Sequence, residues 1–314
     1  APVPIAAAVI VPSAPWTGPG ARPVVAYNTA IDSLGLTCVP SWTLPRGSEL
    51  EIVGIQAMLA KNYAVVVTDY QGPQQAYAAG RLAGHAVLDA LRAAVGDARL
   101  GLDPSAPIVG YGYSGGAIAA GWAAELAPTY APELNLVGMA MGGTPADYRL
   151  LFASMNGVNA ASTLFLAATL GVAREYPELF ALMNDNARRL GVVARDWCLA
   201  MLAPGGVIAP IPVEALANVP DVVDTPVAQR VLDDLRLGGQ APRAPILLYH
   251  GAQEIWIPRA GVATLRDEWC GRGATVQLAE YPGEHVTVGV FGIPAAFAWL
   301  DDRLAGRPVP DGCG

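Results

Sequence analysis

The stretch Ile108-Val109-Gly110-Tyr111-Gly112-Tyr113-Ser114-Gly115-Gly116 constrains this chain more than any other. An apolar run with β-branched residues climbs to Ser114, and Ala117-Ile118-Ala119-Ala120 beyond it reads as the start of a helix. A strand, a sharp corner and a helix therefore meet at one serine, with Gly112 and Gly116 two residues to either side. The geometry demands those residue types. So tight a corner forces the serine into a strained backbone conformation, and flanking glycines let strand and helix pass without Cβ overlap. The hydroxyl is then held above the sheet edge, where the helix N-terminus beneath it favours developing negative charge.

A Gly-x-Ser-x-Gly pattern arises readily by chance in a chain with 35 glycines, so its meaning depends on context. At 314 residues there is room for one large α/β domain or two small ones. Apolar residues make up 53% and charged ones 15%, which suits a well-filled core. A net charge of −8 with no basic run excludes nucleic acid as a partner, because phosphate contact needs clustered Lys and Arg. No uninterrupted apolar run reaches the roughly 18 residues of a membrane-spanning helix, so no transmembrane segment is expected. Ala1-Pro2-Val3-Pro4 shows neither a charged n-region nor a cleavage site, so a secretory signal is absent or was removed upstream of this numbering. Cys38, Cys198, Cys270 and Cys313 lie far apart without a CxxC pair, which argues against zinc, and neither a metal nor a cofactor is expected. Their even number and the scarcity of Lys point to disulfides and a secreted, extracellular protein, with three pairings open.

Along the chain, residues 5–11 and 23–27 read as short strands separated by a Pro- and Gly-rich loop. Residues 49–61 read as a helix, 63–68 as a buried strand and 77–95 as a helix. The Ser114 strand and its helix follow, then another buried strand at 134–141. Fully apolar strands alternating with helices mean a mostly parallel sheet covered on both faces. From Gly142 the alternation stops. Residues 162–172, 177–190 and 226–235 carry helical patterns, the last opened by Thr225 as N-cap and Pro226 at the first position. A Pro-rich apolar passage runs from 201 to 212. The α/β rhythm resumes with a strand at 245–250, a helix at 259–269, a strand at 275–280 and a final helix at 288–304. This predicts a core formed by residues 1–147 and 241–314, with residues 148–240 inserted as a mainly helical cap.

The strand–corner–helix pattern is that of the nucleophile elbow of α/β-hydrolases, in which nucleophile, acid and base follow in that chain order. Only three histidines compete for the base. His85 precedes the serine inside a helical pattern, and His250 ends a buried strand with little room for an acid before it. His285 lies in Tyr281-Pro282-Gly283-Glu284-His285-Val286-Thr287, the loop after the last strand, where a catalytic imidazole belongs. The acid is expected beyond His250, and Glu254 is the carboxylate there. Glutamate accepts the hydrogen bond of the imidazole Nδ1–H as aspartate does, with one more methylene for the loop to absorb. Glu284 is the rival, but adjacent side chains diverge, and Asp267 falls on a helix, where a solvated role is expected.

With these residues in place, the chain resembles the secretory lipase family typified by the A-type lipase of Candida antarctica. The resemblance rests on Asp32 to Ser41 with Cys38-Val39-Pro40-Ser41, on Val66-Val67-Thr68-Asp69-Tyr70-Gln71-Gly72, and on Gly112-Tyr113-Ser114-Gly115-Gly116. It continues through Tyr130 to Gly138, Gly142-Gly143-Thr144-Pro145, and Glu284-His285-Val286-Thr287 with Phe291-Gly292. It implies an α/β-hydrolase core with a helical cap, acting on carboxylic esters and in some cases transferring the acyl group to an alcohol. It further implies a Ser114–His285–Glu254 triad, an oxyanion hole from the amides of Gly115 and Asp32, and disulfides Cys38–Cys198 and Cys270–Cys313. The partners it implies are a small-molecule ester or lipid substrate and transient contact with a lipid interface. Two departures stand out: Glu254 replaces the family's usual aspartate, and the sequence, ending at Gly314, reads without the family's long C-terminal flap, which predicts a more open rim. A serine amidase or peptidase, or a catalytically silent lipid-binding member of the same fold, are the competing readings.

Overall fold

Seven apolar stretches build one sheet, in the order β1-β3-β2-β4-β5-β6-β7. The strands are β1 (Ala7–Ile10), β2 (Val24–Asn28), β3 (Ala64–Thr68), β4 (Ile108–Tyr113), β5 (Leu136–Gly142), β6 (Ile246–Gly251) and β7 (Val276–Tyr281). Edge strand β1 runs antiparallel to β3, and every other pairing is parallel. The computed structural model describes residues 2–310 and 312–313; Ala1, at the head of the segment read for a leader, and Gly314, at the chain end, lie outside the described residues.

Every residue of β2, β3, β4 and β6 is buried, which is why these strands read as continuous apolar runs rather than alternating ones. Pleating divides their side chains between two cores. Val25, Tyr27, Val65, Val67, Val109 and Tyr111 pack with Ile55, Met58, Phe297 and Leu300. Those partners lie on α2 (Ile52–Ala60) and α12 (Ile293–Leu304), while α1 (Pro40–Thr43) is a single turn near the surface. Val24, Ala26, Ala64, Val66 and Ile108 face the other way, toward α3 (Gly80–Gly96), α4 (Gly115–Tyr130) and α10 (Arg259–Gly271). Each fully buried Leu or Phe contributes roughly 1.5–3 kcal/mol to holding these layers together.

The strand order reverses between β2 and β4. From β2 the chain moves outward to β3, and from β4 it moves the other way to β5. The crevice at the carboxyl ends of two such strands is where α/β sheets place ligands. The loop after β2 carries Asp32, the corner after β4 carries Ser114, and the loops after β6 and β7 carry Glu254 and His285.

Between β5 and β6 the chain forms α5 (Tyr148–Met155), α6 (Ser162–Glu175), α7 (Asp185–Val193), α8 (Leu199–Ile208) and α9 (Pro226–Asp234). Thr225 caps α9 by accepting the Ala228 amide at 3.3 Å, with Pro226 at the first position. The pattern at 177–190 is not one helix. A 3₁₀ segment, Pro177–Leu182, ends at Met183, whose extended backbone bridges Ala217, and Asn184 then caps α7 by accepting the Ala187 amide at 3.0 Å. The passage from 201 to 212 is helical through Ile208 despite Pro204 inside it. The expected helix 288–304 is likewise two, α11 (His285–Phe291) and α12, because Pro294 can neither donate a backbone hydrogen bond nor fit beneath the preceding turn.

Two disulfides fasten the outer segments. Cys38–Cys198 joins the chain beyond the β2 loop to the start of α8 across 160 residues, and Cys270–Cys313 ties the end of α10 to the C-terminal segment across 43. By chain entropy alone, cross-links of these spans contribute about 5 and about 4 kcal/mol. Among the described residues no helix is long and apolar enough to cross a membrane.

Candidate active site

Ser114 occupies the corner between β4 and α4 with φ 53° and ψ −118°, a conformation that costs an L-residue on the order of 1–3 kcal/mol. Strand and helix impose it from both sides, and the Ser114 amide donates to the Gly142 carbonyl at 2.9 Å. The flanking glycines are needed for space: a Cβ on Gly112 would overlap the Gly116 carbonyl, and one on Gly116 would overlap the Asn28 carbonyl.

Ser114 Oγ lies 2.9 Å from His285 Nε2, and His285 Nδ1 lies 2.6 Å from Glu254 Oε2. Both partners are shielded, with side-chain exposures of 6% for His285 and 1% for Glu254. His285 is the first residue of α11 rather than a loop residue. Glu284, the rival acid, is the N-cap of that helix, accepting the Val286 and Thr287 amides at 2.9 Å each. Asp267 pairs with Arg266 on the surface of α10. The extra methylene of Glu254 is absorbed by folding the carboxylate back on its own loop, where Oε1 accepts the Trp256 amide at 2.8 Å and the Ile257 amide at 3.3 Å. Burial alone would raise the Glu254 pKa, but the hydrogen bond and charge of His285 and those two amides outweigh it and hold the carboxyl below its usual range.

The other histidines stand apart from Ser114. His250, fully buried, places Nε2 2.9 Å from the Ile257 carbonyl, so that nitrogen carries the proton, and burial pushes its pKa down. His85 Nδ1 meets the Arg81 carbonyl at 2.8 Å, and its ring stands edge-on to Tyr130.

Gly115 is the first residue of α4, so its N–H is one of the helix-start donors without an intrahelical acceptor. The Asp32 carboxyl sits directly against it: a Cβ on Gly115 would overlap Asp32 Oδ1. Asp32 is buried and left-handed at φ 41°. Burial pushes its carboxyl up to about 6, opposed by the charge of His285, the Tyr77 hydroxyl and the Gly115 amide. The segment around it is gripped by its neighbours. Glu51 Oε1 accepts the Ala30 amide at 2.6 Å, the Tyr70 hydroxyl donates to the Thr29 carbonyl at 2.7 Å, and the Leu199 amide of α8 donates to Ser33 Oγ at 2.9 Å.

Several residues shape the site that the sequence did not single out. The His285 ring lies between Tyr113 and Trp256, at centroid distances of 5.1 and 5.0 Å, and the Tyr113 hydroxyl donates to the His285 carbonyl at 2.6 Å. Gln253 joins the acid and base loops by accepting the Gly283 amide on its side chain at 2.6 Å and donating its own amide to the Gly283 carbonyl at 3.0 Å. Of these, Tyr113 had a signal, since it immediately precedes the serine; Trp256 and Gln253 act through contacts that only the folded loops create.

Ser114 and His285 open into a cavity bounded by Tyr77, Ile118 and Trp256, and by Leu151, Leu164 and Phe165 of α5 and α6. A second, larger cavity, almost wholly apolar, lies among the inserted helices and shares Tyr148, Phe165 and Ala168 with the first. Phe165 and Leu166 line this space. Met201, Val207 and Ile208 instead point outward and are exposed.

The chain matches the secretory lipase family model over residues 47–312. It is 31% identical over 308 residues to a secreted triacylglycerol lipase of Malassezia restricta, covering 92% of this chain and 66% of that one. It is 32% identical over 301 residues to a Mycobacterium tuberculosis protein named a probable inactive lipase, covering 92% and 67%. The crystal structure of Candida antarctica lipase A in its closed state superimposes with a TM-score of 0.88 at 27% identity, over 98% of this chain and 75% of that one.

Proposed function

The chain belongs to the secretory lipase family, and on that footing we propose that it is a secreted serine hydrolase of carboxylic esters with hydrophobic acyl groups. The observation that carries the reading is the continuous hydrogen-bonded line from Ser114 Oγ through His285 to Glu254, at 2.9 and 2.6 Å. In this reading His285 Nε2 takes the hydroxyl proton as Ser114 Oγ attacks the ester carbonyl carbon. The carbonyl π electrons move to oxygen, and the amides of Gly115 and Asp32 receive the resulting oxyanion. Glu254 holds the imidazole in the tautomer with Nδ1 protonated and stabilises the imidazolium. Collapse expels the alcohol, which takes the proton from His285, and leaves an acyl group on Ser114. Water, deprotonated in turn by His285, then releases the acid. An alcohol in the place of water would make the same site an acyltransferase.

The inserted helices, bounded at 148–240, act as a cap over this site, and the apolar cavity within them is a place for an acyl chain. Each methylene buried there would contribute about 0.8 kcal/mol to binding. That favours lipid esters, including the triacylglycerols in the Malassezia relative's name, over peptides. Secretion is supported by that relative and by the two disulfides. The name of the mycobacterial relative keeps a silent, lipid-binding alternative in view. The assembled line of three side chains favours the enzyme. A fluorophosphonate probe together with paired p-nitrophenyl esters and p-nitroanilides of the same acids separates the readings. Labelling at Ser114, ester turnover that rises with acyl length, and anilide turnover slower by orders of magnitude are expected. Anilide turnover equal to that of the ester would make it an amidase, and no labelling of folded protein would make it silent.

A further inference from the structure

The two peptide groups that donate to Glu254 are each held at their other end by a side chain from the inserted segment. The Trp256 amide belongs to the peptide unit whose oxygen is the Ile255 carbonyl, and Asn159 Nδ2 donates to that oxygen at 3.2 Å. The Ile257 amide belongs to the unit whose oxygen is the Trp256 carbonyl, and Ser154 Oγ donates to that one at 2.6 Å. Ser154 lies in the last turn of α5, and Asn159 lies in the turn before α6. The two are locked to each other, because Asn159 Nδ2 also donates to the Ser154 carbonyl at 2.7 Å while its Oδ1 accepts the Ala161 amide at 2.9 Å. We propose that Ser154 and Asn159 are positioning residues for the acid: by gripping both carbonyls they set the tilt of the two amides that hold Glu254 against His285.

The chemistry of the grip has two parts. A hydrogen bond to the oxygen of a peptide group fixes its plane and polarises its N–H, strengthening the bond that the N–H donates. It also stops the loop from relaxing around a side chain one methylene longer than aspartate. A glutamate that has lost its amides can leave Nδ1 or swing about it, and the imidazole then loses its orientation. The acid loop therefore takes its geometry from the inserted segment, and not only from strand β6 that precedes it.

The inference rests on the proposed function, and the test separates the two. Ser154→Ala, Ser154→Thr and Asn159→Asp are each made in the natural chain and in Glu254→Gln. Asn159→Asp keeps the acceptor for Ala161 while removing the donor to Ile255. The readouts are kcat and KM for a short p-nitrophenyl ester and the rate of fluorophosphonate labelling at Ser114. Ser154→Ala and Asn159→Asp are expected to lower kcat and the labelling rate by about fivefold each, with KM within about twofold, and Ser154→Thr to restore both. In the Glu254→Gln background the same changes should have no further effect. An equal loss in both backgrounds, a loss confined to KM, or no loss at all overturns the proposal. If Asn159→Asp does not fold, Ser154→Ala, at a half-buried site, decides alone. A Glu254→Gln chain as active as the parent would overturn the reading of the acid itself.

Discussion

The two sides of the serine are built differently. On the acid–base side the groups are matched: His285 engages Ser114 and Glu254, and both Glu254 oxygens are occupied. On the oxyanion side a buried carboxyl lies against Gly115, Asp32 Oδ1 and Thr29 Oγ1 are buried without a hydrogen-bond partner among the described residues, and the Asp32 backbone is left-handed. The charge states diverge too. Glu254 is held low by its partners, while burial raises Asp32 to about 6 and its neighbour Glu51 to about 7. One side favours the charged form of its carboxylate; on the other, burial works against it.

Breaking the first side should cost the most. Glu254→Gln is expected to lower kcat by about 10⁴-fold, since an amide cannot hold the productive imidazole tautomer, and steady-state kinetics on a soluble ester reads this directly. A loss below tenfold would mean that the acid–base side does not depend on a matched charge. Gly115→Ala comes next. Its Cβ would collide with Asp32 Oδ1 and displace the amide, so kcat should fall about 10²- to 10³-fold, the worth of one oxyanion donor. Retention of full activity would remove Gly115 from the oxyanion hole.

The smallest effect is in stability and has opposite signs on the two sides. Asp32 and Glu51 are raised by folding, so the stability tied to them is fully present below the unfolded carboxylate range near pH 4 and is lost as pH rises through about 6 and about 7. Glu254 is lowered, so its contribution is present above that range and is lost as pH falls through its depressed value. Denaturant midpoints between about pH 2 and about pH 8 should fall less steeply with rising pH for Asp32→Asn and Glu51→Gln, and less steeply with falling pH at the acid end for Glu254→Gln. Parallel curves for all the variants would contradict this division of charge between the two sides.

Much of this was legible in the sequence because the constraints were local. Gly112 and Gly116 are dictated by a corner that only glycine fits, and strands such as 24–28 and 108–113 are apolar because both faces are covered. Glu254 and His285 were singled out through chain order, with three histidines to choose among, and both stand in one hydrogen-bonded line with Ser114. Both disulfide pairings implied by the family resemblance are present. The inserted helices were less legible. Their apolar residues line a cavity and a surface as well as a core, so periodicity could not show that 177–190 breaks at Met183 or that the helix holding Pro204 turns Val207 and Ile208 outward. Trp256, Ser154 and Asn159 carried no signal, since Ser154 and Asn159 contact a loop about 100 residues further along and Trp256 meets His285 only once two separate loops have folded together. His285 looked like a loop residue because α11 is a single short helix cut off before Pro294.

The central claim is that Ser114, His285 and Glu254 act as one unit to form an acyl-enzyme. Rapid quenching of a p-nitrophenyl ester reaction, followed by intact-mass and peptide mapping, tests it directly. An acyl adduct on Ser114 that forms with the burst of p-nitrophenol, and that is lost in His285→Ala, is the result predicted. Ester turnover at the natural rate with no adduct on Ser114, or in Ser114→Ala itself, would contradict it.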